Sequence, residues 1–293
     1  MSQSLMVSLK QLHPNAQIDV LAPAWSKPIL ERMPEVDEAI EMPIGHGRFA
    51  FNERRRFGKA LRQKKYTWSI VLPNSWKSAL IPWFANIPRR TAWKGEMRYG
   101  LINDIRHLDK QALPLMVQRF VHLALDANAD QQTAIDLSAI PKPFLSTDPE
   151  KRQPLLSKFG LSSDKPILIL CPGAEFGSAK QWPADYYQAV AKEKSEEGWQ
   201  VLVLGSEADK AVGDKICADP NRFVSNLCGK TTLGEAVDLM SFTSVVVSND
   251  SGLMHIPSAV NKPLVALYGA TSPDFTPPLT DNAEVLSVKV ECG

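Results

Sequence analysis

From Asn249 to His255 the chain reads Asn-Asp-Ser-Gly-Leu-Met-His, directly after the valine run Val245 to Val247. A β-branched run ending in these types is the pattern of a buried parallel strand passing into a helix, with Asp250 and Ser251 suited to the free N–H groups that open it. Gly252 lets a ligand approach the backbone closely, and a helix N-terminus at this spot favours an anion such as a nucleotide phosphate. His255 falls about one turn into the expected helix, Leu253 to Val260. Asp-Ser-Gly is equally good capping chemistry for an ordinary strand–helix–strand unit, so this segment alone leaves both readings open.

A second group is the loop Pro172 to Pro183, PGAEFGSAKQWP. A glycine-rich turn between strand and helix can wrap a phosphate with backbone N–H groups, and Lys180 would add a point charge. Its spacing fits neither a Walker loop nor the Rossmann GxGxxG, and a surface loop with a solvated lysine is the alternative. Gly205-Ser206-Glu207 and the stretch Leu227 to Thr232 supply two more strand ends with small or polar groups. Four consecutive ends of this kind are what a nucleotide pocket along one sheet rim requires. In the first half, Lys77, Arg89, Arg90, Lys94 and Arg98 stand among Trp93 and Tyr99. Guanidinium forks match phosphates and carboxylates, so these cations suit an anionic second substrate, a solvated basic face being the alternative. The run Arg54-Arg55-Arg56, with Arg62, Lys64 and Lys65, reads as the exposed side of a helix and receives no site.

The elements that must position these groups follow from periodicity. Leu5, Met6, Leu9 and Leu12 predict an opening helix, stopped at His13-Pro14-Asn15 before a strand at Ile18 to Leu21. A strand at Ser69 to Leu72, a helix from near Ser75, a basic, aromatic loop region from Ile87 to Asp104 and a helix from about Leu113 to Leu125 follow. Ser138 to Pro154 holds four prolines and marks the boundary between domains 1–145 and 146–293. Beyond it, strands at Pro166 to Cys171, Gln200 to Leu204 and Phe223 to Leu227 alternate with helices at Ala184 to Gly198, Glu207 to Ala218 and Leu233 to Ser241. A last strand, Leu264 to Tyr268, follows the opening motif. This alternation predicts an α/β domain with a doubly wound parallel sheet and ligands at the carboxyl ends of its strands.

Composition narrows the function further. The 293 residues carry 33 Lys plus Arg against 32 Asp plus Glu, so no global field recruits nucleic acid. Cys171, Cys217, Cys228 and Cys292 show no CxxC spacing, and His13, His46, His107, His122 and His255 no HExxH pair, so no metal site is expected. No run is apolar enough to cross a bilayer, and the expected location is cytoplasmic.

The stretches LAPAWSKPILERMPEVDEAI, VLPNSWKSALIPWFANIPRRTAWKGEMRYGLINDIR, ALPLMVQRF, CPGAEFGSAKQWP, SNDSGLMH and PLVALYGATSPDFTPP, spread over essentially the whole chain, resemble the heptosyltransferases of glycosyltransferase family 9. The resemblance implies a GT-B architecture, two Rossmann-like domains facing a cleft, with the donor held by the second and the acceptor by the first. It implies transfer of L-glycero-D-manno-heptose from ADP-heptose to the first heptose of the lipopolysaccharide inner core, with inversion and without a metal or cofactor. Matching motifs assign the donor to Gly173, Glu175, Lys180, Thr231, Thr232, Asp250, Ser251, Gly252 and His255, with Lys180 steadying the leaving diphosphate. Glu207 joins them by its strand-end position. Lys77, Arg89, Arg90, Lys94 and Arg98 would meet a lipid A–Kdo–heptose acceptor at the inner leaflet of the inner membrane, where the protein would be peripheral. Family members open with a strand and a Gly-Asp turn whose carboxylate is the base. Met1 follows that point, so the expectation is a chain truncated at both ends, lacking the first strand of the N-terminal sheet and the base, and less stable and inactive for it. Another GT-B nucleotide-sugar enzyme and a non-catalytic donor-binding protein are the competing readings.

Overall fold

The computed structural model describes residues 1–45, 47–126, 135–174, 178–219 and 223–287. The chain divides into two compact units, one made of Met1–Lys27 and Glu35–Pro141, the other of Pro28–Pro34 and Lys142–Gly293.

In the first unit helix α1 (Ser2–Leu12) buries Leu5 and Met6, two of the apolar positions read from its spacing. Strands β1 (Asp19–Ala22) and β2 (Glu38–Glu41) pair in parallel. Between them a short helix, α2 (Lys27–Leu30), leads into the segment that belongs to the second unit. Helix α3 (Phe51–Leu61) precedes β3 (Trp68–Ile70), and α4 (Leu80–Phe84) precedes β4 (Arg89–Trp93), β5 (Asp104–Arg106) and α5 (Met116–His122). The parallel order is β3-β4-β5.

Three expectations change here. The stretch read as a loop from Ile87 to Asp104 contains β4, because Thr91, Ala92 and Trp93 are buried while the two arginines ahead of them find internal partners. Arg54, read on an exposed helix side, is 6% exposed and donates from Nε to the Phe49 carbonyl at 2.7 Å and from a terminal nitrogen to the Arg48 carbonyl at 3.2 Å. The helix expected from Leu113 starts at Met116, since Pro114 disfavours helical backbone at the residue before it.

The second unit is built on one six-stranded sheet, all parallel, from β6 (Ile167–Cys171), β7 (Gln200–Val203), β8 (Val224–Asn226), β9 (Val245–Asn249), β10 (Leu264–Tyr268) and β11 (Ala283–Ser287). Its order is β11-β10-β9-β6-β7-β8, the arrangement in which the chain starts centrally, winds to one edge, then returns past the start to the other. Side chains alternate across it. Ile167, Ile169, Leu202 and Leu204 enter one core with Val237, Met240 and Ile256, while Leu168, Leu170, Val201 and Val203 enter the other with Tyr187, Ala191 and Ile216. Both faces are therefore covered: α6 (Arg152–Phe159), α9 (Leu233–Ser241) and α10 (His255–Ala259) on one, α7 (Ala184–Glu196) and α8 (Lys210–Ile216) on the other. The helix expected from Leu253 to Val260 is a single 3₁₀ turn, Gly252–Met254, followed by the five-residue α10. An element that short carries little dipole, which removes much of the anion argument made from it.

Candidate active site

The strand order brings the loops after β6 and β9 side by side, at the point where the winding reverses and a crevice opens in folds of this type. Lys180, closing the 3₁₀ turn Ser178–Lys180, and Asp250, just past β9, meet there with Nζ and Oδ2 3.2 Å apart. Their side chains are 25% and 10% exposed, so the pair is partly shielded but reachable. Asp250 does not cap the following helix. Its carboxylate is turned to Lys180, and Ser251, at the N-cap, makes no side-chain cap bond.

Asn249, fully buried, holds these two loops together. Its Nδ2 donates to the Pro172 carbonyl at 2.7 Å, while its Oδ1 accepts from Trp182 N–H at 3.1 Å and from the Tyr187 hydroxyl at 2.9 Å. Tyr187 from α7 also meets the Trp182 ring edge-on at 4.9 Å. Gly269, after β10, lets the Ala179 carbonyl come within 3.0 Å of where a Cβ would stand. Neither Asn249 nor Tyr187 was singled out from the sequence. The available signal was an amide side chain immediately before the acid of a strand-end motif.

The remaining donor candidates lie along the same rim. A Cβ on Gly173 would stand 2.7 Å from both carboxylate oxygens of Asp209, whose Oδ2 accepts from the Ser206 N–H and hydroxyl. The exposed Glu207 carboxylate lies over Gly229, which turns in the left-handed region at φ 72°. Thr231 is half-buried in that turn. Thr232 caps α9, its hydroxyl accepting from Glu235 N–H at 3.2 Å. Gly252 is exposed, with open space where a Cβ would stand. His255 opens α10, and burial pushes its imidazole down to about 4, with the Asp250 charge opposing. Glu175 lies outside the described residues.

In the first unit the cations sort into two kinds. Arg98, 3% exposed, donates to the Pro73 carbonyl at 2.7 Å and to the Trp93 carbonyl at 2.5 Å. Arg90 donates to the carbonyls of Leu101 and Ile87. Arg89 pairs with Asp104 at 3.1 Å and lies over the Trp68 ring at 4.1 Å. These three arginines are engaged within the unit, so its own packing accounts for much of what read as a binding patch. Lys94 is exposed and Lys77 half-buried, at the carboxyl ends of β4 and β3. Gly95 ties those two ends together: a Cβ there would stand 2.4 Å from the Asn74 carbonyl, which accepts from Glu96 N–H at 3.1 Å. Among the described residues, no three His, Cys, Asp or Glu side chains group to hold a metal ion, and no helix is long and apolar enough to cross a membrane.

Residues 54–293 match the family model of glycosyltransferase family 9 (heptosyltransferase). Lipopolysaccharide heptosyltransferase 2 of Salmonella typhimurium is 52% identical over 291 residues, 98% of this chain and 83% of that protein. The solved structure of Escherichia coli ADP-heptose LPS heptosyltransferase II is 48% identical and superposes with a TM-score of 0.89, over 97% of this chain and 85% of that one. A family 9 glycosyl transferase from Veillonella parvula, 20% identical, has the same fold, with a TM-score of 0.83 over 99% of this chain and 83% of that one.

Proposed function

The chain belongs to glycosyltransferase family 9, the heptosyltransferases, and on that premise we propose that it moves L-glycero-D-manno-heptose from ADP-heptose to the first heptose of the lipopolysaccharide inner core. The acceptor hydroxyl gives its proton to a base and attacks the anomeric carbon as the bond to the diphosphate oxygen breaks on the opposite face, so the configuration inverts and ADP departs. Negative charge grows on the diphosphate in the transition state, and a fixed positive group aimed at it lowers the barrier. Lys180 is that group. In the free chain Asp250 holds its ammonium at 3.2 Å in the crevice, so the cation is already in position when the donor arrives. The same charge does what a metal ion does in other transferases, and the reading uses no metal or cofactor.

The observation that carries this reading is the meeting of Lys180 and Asp250 where the sheet reverses its winding. Gly173, Glu207, Thr231, Ser251, Gly252 and His255 complete the donor site along the rim, with Thr232 contributing through the turn it caps, and the family motif adds Glu175. The acceptor, lipid A–Kdo–heptose at the inner leaflet, meets Lys77 and Lys94, the cations least engaged elsewhere, and the enzyme works as a cytoplasmic protein at that membrane surface. Calorimetry and turnover with ADP-heptose test the reading. Binding is expected, with Lys180→Ala lowering turnover on the order of 10²-fold. Binding of UDP-sugars in place of ADP-heptose, or a Lys180→Ala effect within about twofold, contradicts it.

A further inference from the structure

Five aromatic rings in the first unit touch in sequence. Phe49 lies 6.0 Å from both Phe51 and Trp76, Phe51 meets Phe84 edge-on at 5.5 Å, and Phe84 meets Trp83 at 4.8 Å. Phe84 is buried, but Phe49, Phe51, Trp76 and Trp83 are 52%, 40%, 36% and 41% exposed. Single exposed rings are ordinary, whereas four joined ones form an apolar patch that calls for an occupant.

The patch is built. Its loop turns at Ala50, held in the left-handed region at φ 44°, and the buried Arg54 donates to the carbonyls of both Arg48 and Phe49. Burying a guanidinium to fix a loop that presents an exposed ring is a cost that packing alone does not require. Beneath, α3 sits against α4 closely enough that a Cβ on Gly58 would stand 2.6 Å from the Phe84 Cβ. Beside that contact Phe51, Arg55 and Lys59, four residues apart, form one stripe of α3, and both cations are exposed. In a chain with near-equal charges overall, Arg48 to Lys65 carries eight Arg or Lys and one acid, Glu53, which pairs with Arg48 at 3.3 Å. The nearby Glu96 accepts from Trp76 N–H.

We propose that this surface docks the chain on an anionic phospholipid bilayer. Exposed rings suit the boundary between headgroups and acyl chains, and the cations around them suit a negative surface. The proposal deepens the functional reading, since a lipid-borne acceptor is met at such a surface. It stands, however, on the rings and their charges and not on the donor site.

The test is co-sedimentation of the full chain, without donor or acceptor, with vesicles of phosphatidylcholine alone and of phosphatidylcholine mixed with phosphatidylglycerol. Binding is expected to the mixed vesicles, to weaken with salt, and to drop on the order of tenfold in Phe49→Ala/Trp76→Ala. The exposed-surface triple variant Arg55→Gln/Arg56→Gln/Lys59→Gln is expected to lose on the order of 10²-fold. Bromine-labelled acyl chains should quench wild-type tryptophan emission, and less so in Trp76→Phe, a substitution that keeps the ring and the fold. No preference for the anionic vesicles, undiminished binding by either multiple variant, or equal quenching in Trp76→Phe overturns the proposal. So does self-association in solution that Phe49→Ala abolishes, which would make a second copy the occupant. Failure of the wild-type chain to bind either kind of vesicle, with its ADP-heptose binding intact, sinks this surface alone. Vesicle binding without ADP-heptose binding sinks the functional reading alone.

Discussion

Asn249 makes three hydrogen bonds from a fully buried position, to Pro172, Trp182 and Tyr187. Removing a buried amide leaves its partners unsatisfied, so Asn249→Ala is expected to cost about 2–4 kcal/mol by urea unfolding and to weaken donor binding through the loosened Lys180 loop. An unchanged midpoint would show that the loop is held by other contacts. In the first unit, burial raises the Asp104 carboxyl, but hydrogen bonds from Arg106, Thr91 and Arg89 outweigh it and hold the group below its ordinary 3.8. On acidification the unfolded chain therefore takes up the proton first. The stabilisation is complete above the ordinary value and is lost as pH falls below it toward the folded one. Acid unfolding of wild type against Asp104→Asn checks this, a shallower acid transition being expected in the variant. Lys180 and Asp250 were legible in the sequence because a lone lysine in a glycine-rich loop and an acid at a strand end are local signals. The amide between them was not, since its role exists only once β6 and β9 are neighbours.

Among the elements, the strands of the second unit stood out as continuous apolar runs because both faces of their sheet are covered. β4 was hidden by the two arginines that open it, whose heads find carbonyl and carboxylate partners that only the folded unit supplies. The helix after β9 came out shorter than its apolar pattern, because Leu253 and Met254 belong to a 3₁₀ turn and Val260 falls past its end. At the crossing of α3 and α4, Gly58 faces both the Phe84 Cβ at 2.6 Å and the Ile81 carbonyl at 2.7 Å from a would-be Cβ. Neither neighbour is the free end of a flexible side chain. Gly58→Ala is thus expected to destabilise the first unit by about 1–3 kcal/mol in a denaturant titration, despite the better helix propensity of alanine. A gain in stability would mean that the helices can separate freely there.

For the whole molecule, composition excluded a global nucleic-acid field, and strand–helix alternation pointed to the α/β class, but the path of the chain was not readable. Pro28–Pro34 leaves the first unit's sequence to pack with the second, where Arg32 pairs with Asp238 at 2.7 Å, their side chains 15% and 5% exposed. Arg32 also donates to the Gly234 carbonyl of α9 at 3.2 Å. Such long-range pairing leaves no local periodicity to read. Arg32→Ala leaves the buried Asp238 carboxylate only Lys151, 4.0 Å away, and is expected to lower the unfolding free energy of the second unit by about 3 kcal/mol, although the residue lies far from most of that unit in sequence. Equal midpoints for variant and wild type would remove the segment from the unit's core. The functional reading itself depends on one location. In a crystal of the chain grown with ADP, the diphosphate is predicted to lie beside Lys180, an oxygen at about 2.7–2.9 Å from Nζ, with the lysine drawn off Asp250. A diphosphate bound away from both residues would contradict the account.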